Sequence, residues 1–373
     1  MSFADPHSPA KWFLYTGIFF RWLCVYLLFA NVSDQFEFLA SFLPDGYAEF
    51  TWDAMIGVGF ALVLTFAEII WTHFKKTGNA GSTKRHNLNM LSVRYFLAFI
   101  FFSYGIAKLL GQQFTSTYTM MDQSLAEANG FWLTWRFFDY SYSYKFFIGF
   151  GQIAAAILFL SRRTTTLAAV IFLSIISNIV YVNFAFDIGV KFFSFCYLVF
   201  TIYLLLCDFD RLHALFIRNS SVPANKILEL PRYHFFSTRS FKIIQTIFII
   251  AIIIWPASDY FRIPANKSKV FVGSFNVKDF IHPDNRNDST NWDKIYIEKW
   301  ANGGSIKRMN GKRINFKSCD FDETNHNIHI SFRNSTRFKN IDAMYTVDAD
   351  SSILAKGLWG SDSVRFTIKR YFH

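Results

Sequence analysis

The sequence predicts an α-helical polytopic membrane protein with about seven spans, followed by a C-terminal all-β antiparallel barrel or sandwich. Three observations carry this. The chain is 52% hydrophobic and 20% aromatic with a mean hydropathy of +0.21, too apolar for an ordinary soluble domain. Seven apolar runs approach or reach the length that crosses about 30 Å of hydrocarbon. Beyond residue 258 the pattern changes to period-two alternation interrupted by turn residues.

The runs cover residues 12–32, 52–74, 91–110, 144–160, 165–186, 190–206 and 241–255. Two are near the lower length limit and the last is shorter still. The first lacks a basic leader and a small-residue cleavage site, so it reads as a retained span. Lys and Arg crowd the connections after the second, fourth and sixth runs: HFKKTGNAGSTKRHN, Arg162 with Arg163, and the stretch from Arg211 to Lys242. The first connection, 33–53, has five acids and no Lys or Arg. Positive charge marks the cytoplasmic side. The expected topology is therefore a cytoplasmic N-terminus and a periplasmic C-terminal domain in a bacterial inner membrane. The expected division is a two-span region at 1–90, a four-helix core at 91–212, a linker with the seventh span at 213–257, and the β domain at 258–373.

The connection 111–144 is too long for a turn and carries FWLTWRFFDYSYSY. Such aromatic residues favour the headgroup zone, so the segment is expected to lie along the outer interface or fold back over the bundle. After residue 258, eight alternating segments between VFVGSFNV and SVRFTIKRYF read as short strands. Asn302-Gly303-Gly304, Asn310-Gly311 and Gly360-Ser361-Asp362 mark turns between them. Ile295, Ile297, Ile314, Phe316, Ile328 and Ile330 are placed to fill one core.

Polar residues inside apolar runs are the candidate functional groups, because a charge at the centre of a span costs about 2.5 to 3.5 kcal/mol. Lys108 near the outer end of the third span, Asp187 at the outer end of the fifth and Lys191 at the start of the sixth are expected at one depth. Asn183 shares a helical face with Asp187. Together these four could hold a carboxylate, a phosphate or a quinone carbonyl, or they could clamp the helical hairpin. Asn178 and Gln152 are expected to link helices, with Gln152 the candidate partner of Asn178, and Glu68 is expected to pair with Arg94. Lipid bilayer is the implied environment. No dense Lys/Arg block suggests nucleic acid, and no hydrolase, P-loop, zinc or dinucleotide motif occurs. Cys24, Cys196, Cys207 and Cys319 show no paired spacing and read as small buried thiols. His326 and His329, three apart on an expected strand, would face opposite sides.

SYGIAKL at 103–109, Gln112-Gln113, SRRTTTLAA at 161–169 and NIVYVNFAFDIGVKFFS at 178–194 together resemble the DoxX-like membrane proteins. The likeness is to the long form common in Bacteroidetes, which adds flanking spans and a β-rich tail. It covers about 91–212 well and the tail more loosely. The resemblance implies a four-helix core that contacts quinone or lipid. It also implies a redox or envelope-maintenance partner reached through the β domain and, where there is a reaction, a quinone-linked oxidoreductase subunit. Gln152 stands where the family pattern has an acid, and Gly189 where it has Pro, so a proton-transfer role for such an acid does not carry over. The competing expectations are a non-catalytic scaffold presenting a periplasmic module, and a lipid or small-solute transporter. The lack of an inverted repeat argues against the transporter.

Overall fold

The computed structural model describes residues 10–33, 50–75, 79–222, 271–281, 291–298, 303–332, 339–349 and 351–371, with four isolated positions between 246 and 254. Its helices are α1 (Lys11–Ser33), α2 (Phe50–Phe74), α3 (Asn79–Leu109), α4 (Tyr118–Met121), α5 (Gly130–Tyr140), α6 (Tyr142–Leu160), α7 (Thr165–Ala185), α8 (Lys191–Leu206) and α9 (Phe209–Phe216). The chain divides into two compact units. One is Met1–Phe114 with Asn129–Ser258, and the other is Thr115–Ala128 with Asp259–His373.

In the helical unit α3 packs along α6, α6 against α7 and α7 against α8, and α8 closes back on α3. Helix α1 leans on α3, and α2 on α1. Large apolar side chains fill the ring of α3, α6, α7 and α8: Phe101, Phe159, Phe172 and Phe200 are almost fully buried. Among the described residues four helical stretches are long and apolar enough to cross a membrane: Met55–Phe74, Gly81–Leu109, Tyr142–Leu160 and Thr165–Ala185. The pair α8 and α9, bent by 75°, makes a fifth if taken as one span. Of the seven expected spans, four or five are therefore met among the described residues. Run 12–32 forms α1 without joining that set, and run 241–255 lies almost wholly outside the described residues. Helix α3 starts at Asn79, well before the apolar run at 91, because its polar first turns are invisible to a hydropathy criterion.

Two contacts fix the geometry around the ring. At the crossing of α3 and α6, Gly105 faces Gly149. A Cβ on Gly105 would lie 2.9 Å from the Gly149 carbonyl, and a Cβ on Gly149 would lie 3.0 Å from the Gly105 carbonyl. Small residues let the two backbones touch. At the break between α8 and α9, Asp208 accepts hydrogen bonds from Thr166 Oγ1 on α7 and, at 2.7 Å, from Arg211.

The second unit is a closed antiparallel barrel of eight strands. They are β1 (Gly273–Ile281), β2 (Trp292–Ile297), β3 (Gly304–Arg308), β4 (Arg313–Asp322), β5 (Asn327–Phe332), β6 (Ile341–Val347), β7 (Ile353–Trp359) and β8 (Asp362–Arg370). Each strand pairs with its neighbours in sequence, and β8 closes on β1 with Val277 opposite Ile368. All six residues expected in the core are buried. The alternation is the same in a sandwich and a barrel. Only the pairing of β1 with β8 decides between them, and closure leaves no free edge.

Residues 115–128 belong to this barrel unit although they lie between α3 and α5 in the chain. Asp122 is the anchor: its carboxylate accepts from Lys294 Nζ at 2.5 Å, Tyr296 Oη at 2.6 Å and Lys307 Nζ at 3.1 Å. Glu298 accepts from the backbone N–H groups of Tyr118 and Thr119 at the start of α4, 2.8 and 3.1 Å away, and from the Thr119 hydroxyl at 2.9 Å. Burial pushes the Asp122 carboxyl up, but the hydrogen bonds from Lys294, Tyr296 and Lys307 outweigh it and hold the group at about 2. The connection 111–144, expected to lie along the outer interface or fold back over the bundle, is divided between the two units. Its first half is part of the barrel unit, and α5 returns to the helical unit.

Candidate functional site

The site is built at the C-terminal end of α3. The helix ends as Gly111 takes the left-handed backbone (φ 68°), and the N–H groups of Gln112 and Gln113 both donate to the Ala107 carbonyl at 2.8 and 3.1 Å. This is the glycine-terminated helix end, in which positive φ lets the chain reverse over its own last turn. The reversal carries Gln113 and Phe114 back over Lys108.

Lys108 is 3% exposed. Its ammonium donates to Gln113 Oε1 at 2.7 Å and reaches the Tyr104 carbonyl at 3.5 Å. It lies 5.3 Å from the Phe114 ring centroid and 5.6 Å from that of Tyr104. Phe114 stacks on Phe138 of α5 at 4.5 Å, Phe138 lies parallel to Tyr144 at 5.9 Å, and Trp135 meets Phe114 edge-on at 5.1 Å. Phe114, which precedes the aromatic stretch in the chain, covers the ammonium, and Trp135 and Phe138 of that stretch pack on Phe114. Among the described residues no carboxylate pairs with Lys108. A buried cation ordinarily requires a counter-charge, and rings and a neutral amide supply only part of one. The buried side-chain nitrogen of Gln112, just past the end of α3, has no hydrogen-bond partner among the described residues.

The other expected members lie in separate pairs. Asn183 is buried and its amide donates to Ser194 Oγ at 2.9 Å, tying α7 to α8. Asp187 pairs with Lys191, but its side chain is 89% exposed. Helix α7 ends at Ala185 and Asp187 adopts φ 53°, so the expected common face of Asn183 and Asp187 does not form. Among the described residues no hydrogen bond or ion pair joins Lys108 to Asp187 or Lys191. An exposed pair of this kind contributes little, about 0 to 1 kcal/mol.

The helix-linking expectations change in their partners. Glu68 pairs with Arg21 of α1 and accepts from Trp22 Nε1 at 3.1 Å, not from Arg94. Arg94 instead donates to the carbonyls of Phe159 and Leu160 at 2.9 and 3.1 Å, satisfying the C-terminal end of α6. The sequence did not disclose which helix lies beside which. The missed signal for Arg21 was its place as the lone basic residue within the run 12–32. Replacing Arg94 by Leu should leave both carbonyls without a donor and cost about 2 to 3 kcal/mol. Thermal unfolding of the detergent-solubilised chain measures this, with Arg94→Lys recovering only part.

Gln152 is 2% exposed and its carbonyl oxygen has no hydrogen-bond partner among the described residues. Asn178 cannot serve it, since Asn178 is exposed. The buried face of α7 carries Ala168, Ala169, Phe172, Ile176 and Asn183, and Asn178 points away from it. Lys145, which sequence reasoning passed over, is 6% exposed and pairs with Asp139 at 2.6 Å, fastening α5 to α6. In the barrel His326 sits in the turn before β5 at φ 52°, not on a strand, while His329 Nδ1 meets Asp342 Oδ1 at 2.5 Å.

No family model matches the chain, and no solved structure matches it. The uncharacterized protein YwoB of Bacillus subtilis (strain 168) is 42% identical over 136 residues, which are 36% of this chain and 86% of that protein. The chain belongs to the YwoB family. YwoB carries no assigned activity in its name, and nearly two thirds of the present chain lies outside the match. The likeness to DoxX-like proteins therefore rests on the quoted motifs alone.

Proposed function

We propose that this chain is a DoxX-like protein of a bacterial inner membrane, with seven spans, a cytoplasmic N-terminus and a periplasmic barrel. It binds the polar head of a quinone or a lipid near its outer face and serves a redox or envelope-maintenance partner through the barrel. The observation that carries this is Lys108: a buried ammonium under an aromatic cover, hydrogen-bonded to a neutral amide, with no carboxylate among the described residues to balance it. A carboxylate, phosphate or quinone carbonyl would supply the missing acceptor, and the buried nitrogen of Gln112 offers a second donor. Asn183, Asp187 and Lys191 are the remaining polar groups assigned to the head. The distribution of Lys and Arg supports the topology.

The second reading is a non-catalytic scaffold. It is favoured by the mutual satisfaction of Asp187 with Lys191 and of Asn183 with Ser194, which suits a structural clamp. Purification from native membranes followed by mass spectrometry of co-purifying quinone and lipid separates the two. Lys108→Met keeps most of the side-chain stem under Phe114, so the expected result is retained folding with the bound molecule lost. A wild-type preparation without any such molecule, together with a destabilised variant, would leave the scaffold standing.

A further inference from the structure

Among the described residues nothing covers one face of α7. Leu167 is 54% exposed, Val170 39% and Tyr181 75%, and Ser174, Ser177 and Asn178 are exposed between them. Positions 167, 170, 174, 177 and 181 alternate steps of three and four, the spacing of a seam that receives another helix. The Ser174 and Ser177 hydroxyls donate to carbonyls of their own helix, Ile171 at 3.0 Å and Leu173 at 2.7 Å. Among the described residues the Asn178 amide has no partner. With a rise of 1.5 Å per residue, Asn178 lies about 20 Å from the start of α7 and about 10 Å from its end, within hydrocarbon about 30 Å thick. Water is absent there, so an open amide requires a partner from protein.

We propose that this face joins a second copy of the same chain, with α7 packed against α7 in parallel around a two-fold axis. Two copies in one membrane place Asn178 opposite Asn178 at equal depth. A carboxamide both donates and accepts, so two of them complete each other across the axis. The two serines allow close approach of the backbones. The run at 241–255 is the competing occupant from within the chain. Its polar side chains Gln245 and Thr246 fall in its first turns, toward the end from which α7 also starts in the expected topology, and residues 247–254 carry no hydrogen-bonding side chain. It therefore offers Asn178 nothing along that stretch. The association is independent of any ligand at Lys108.

The test uses the full chain in lipid vesicles. Copper-phenanthroline oxidation of Asn178→Cys is expected to give a covalent dimer. The parent chain, whose cysteines are buried or half-buried, and Phe147→Cys on α6 should give none. Energy transfer between donor- and acceptor-labelled copies on dilution with lipid should show Asn178→Leu raising the dissociation constant roughly five- to thirty-fold, with Asn178→Gln nearer the parent. Because residue 178 faces outward, the Leu variant should keep its fold, which its thermal unfolding checks. Equal energy transfer for parent and Leu variant would overturn the proposal. So would a link from Asn178→Cys to Phe248→Cys within one chain without any dimer.

Discussion

Asp122→Ala is expected to loosen the barrel more than any other single change on its surface. The carboxylate, whose side chain is 9% exposed, balances Lys294 and Lys307 and accepts from Tyr296. Its removal leaves two cations side by side and a phenol without an acceptor. Breaking a buried pair costs about 3 to 5 kcal/mol, and the partial exposure of the two lysines lowers this to about 2 to 4 kcal/mol. Hydrogen exchange of the full chain should show β2 and β3 losing protection first, since they carry all three partners. Acid should mimic the mutation. The folded carboxyl sits at about 2, below its ordinary value near 3.9, so its contribution is complete above about pH 5 and is lost as pH falls through about 2. The shift corresponds to about 2 kcal/mol, and susceptibility to pepsin, which acts across this range, reads it. Asp122→Asn should flatten that part of the pH profile; an unchanged profile would count against the carboxylate as its source.

Gly149→Val should disrupt the helical unit. The added Cβ would meet the Gly105 carbonyl at 3.0 Å and the Lys108 Cβ at 3.1 Å, and neither backbone has room to retreat without parting α3 from α6. Overpacking of a core costs about 1 to 3 kcal/mol, and a clash with backbone puts this site at or above the upper end. The expected outcome is a sharp fall in monodisperse protein on size exclusion and a lower thermal transition. Gly151→Ala is the control: a Cβ there would lie 3.4 Å from a flexible Ile175 methyl, so it should change stability by less than about 1 kcal/mol. If both variants behaved alike, the close crossing at Gly105 and Gly149 would not be the feature that sets the helix spacing.

The barrel was readable because its signal is local. Ile295 and Ile297, or Ile328 and Ile330, announce a buried face every second residue, and Asn310-Gly311 announces a turn without reference to anything distant. The long apolar helices were readable for the same reason, except where α3 begins in polar sequence, whereas α4, α5 and α9 lie in stretches read as connections. What the sequence concealed was choice of neighbour. Glu68 had two arginines at plausible depths, and only the packing of α1 on α2 selects Arg21. Asp122 looked like an ordinary loop acid, since its partners lie 172 to 185 residues away and no periodicity links them. At the candidate site Lys108 was found by its charge in an apolar run. Its cover was not, because that depends on the left-handed Gly111 turning Phe114 back over the ammonium. Asn183 and Asp187 were joined by helical arithmetic that stopped applying once α7 ended at Ala185.

The placement of residues 115–128 in the barrel unit also has a consequence during biosynthesis. At roughly 5 to 20 residues per second, Asp122 leaves the ribosome roughly 10 to 35 s before Lys294 and Lys307 are made. For that interval the segment has no strands to join. The helices on either side of it can be inserted long before the barrel closes, and the last step of maturation is the capture of an early, waiting segment by a late one. A chain that stops short of β2 would carry Asp122 and the start of α4 with Lys294, Tyr296, Glu298 and Lys307 all missing, a defect that quality-control proteases could recognise.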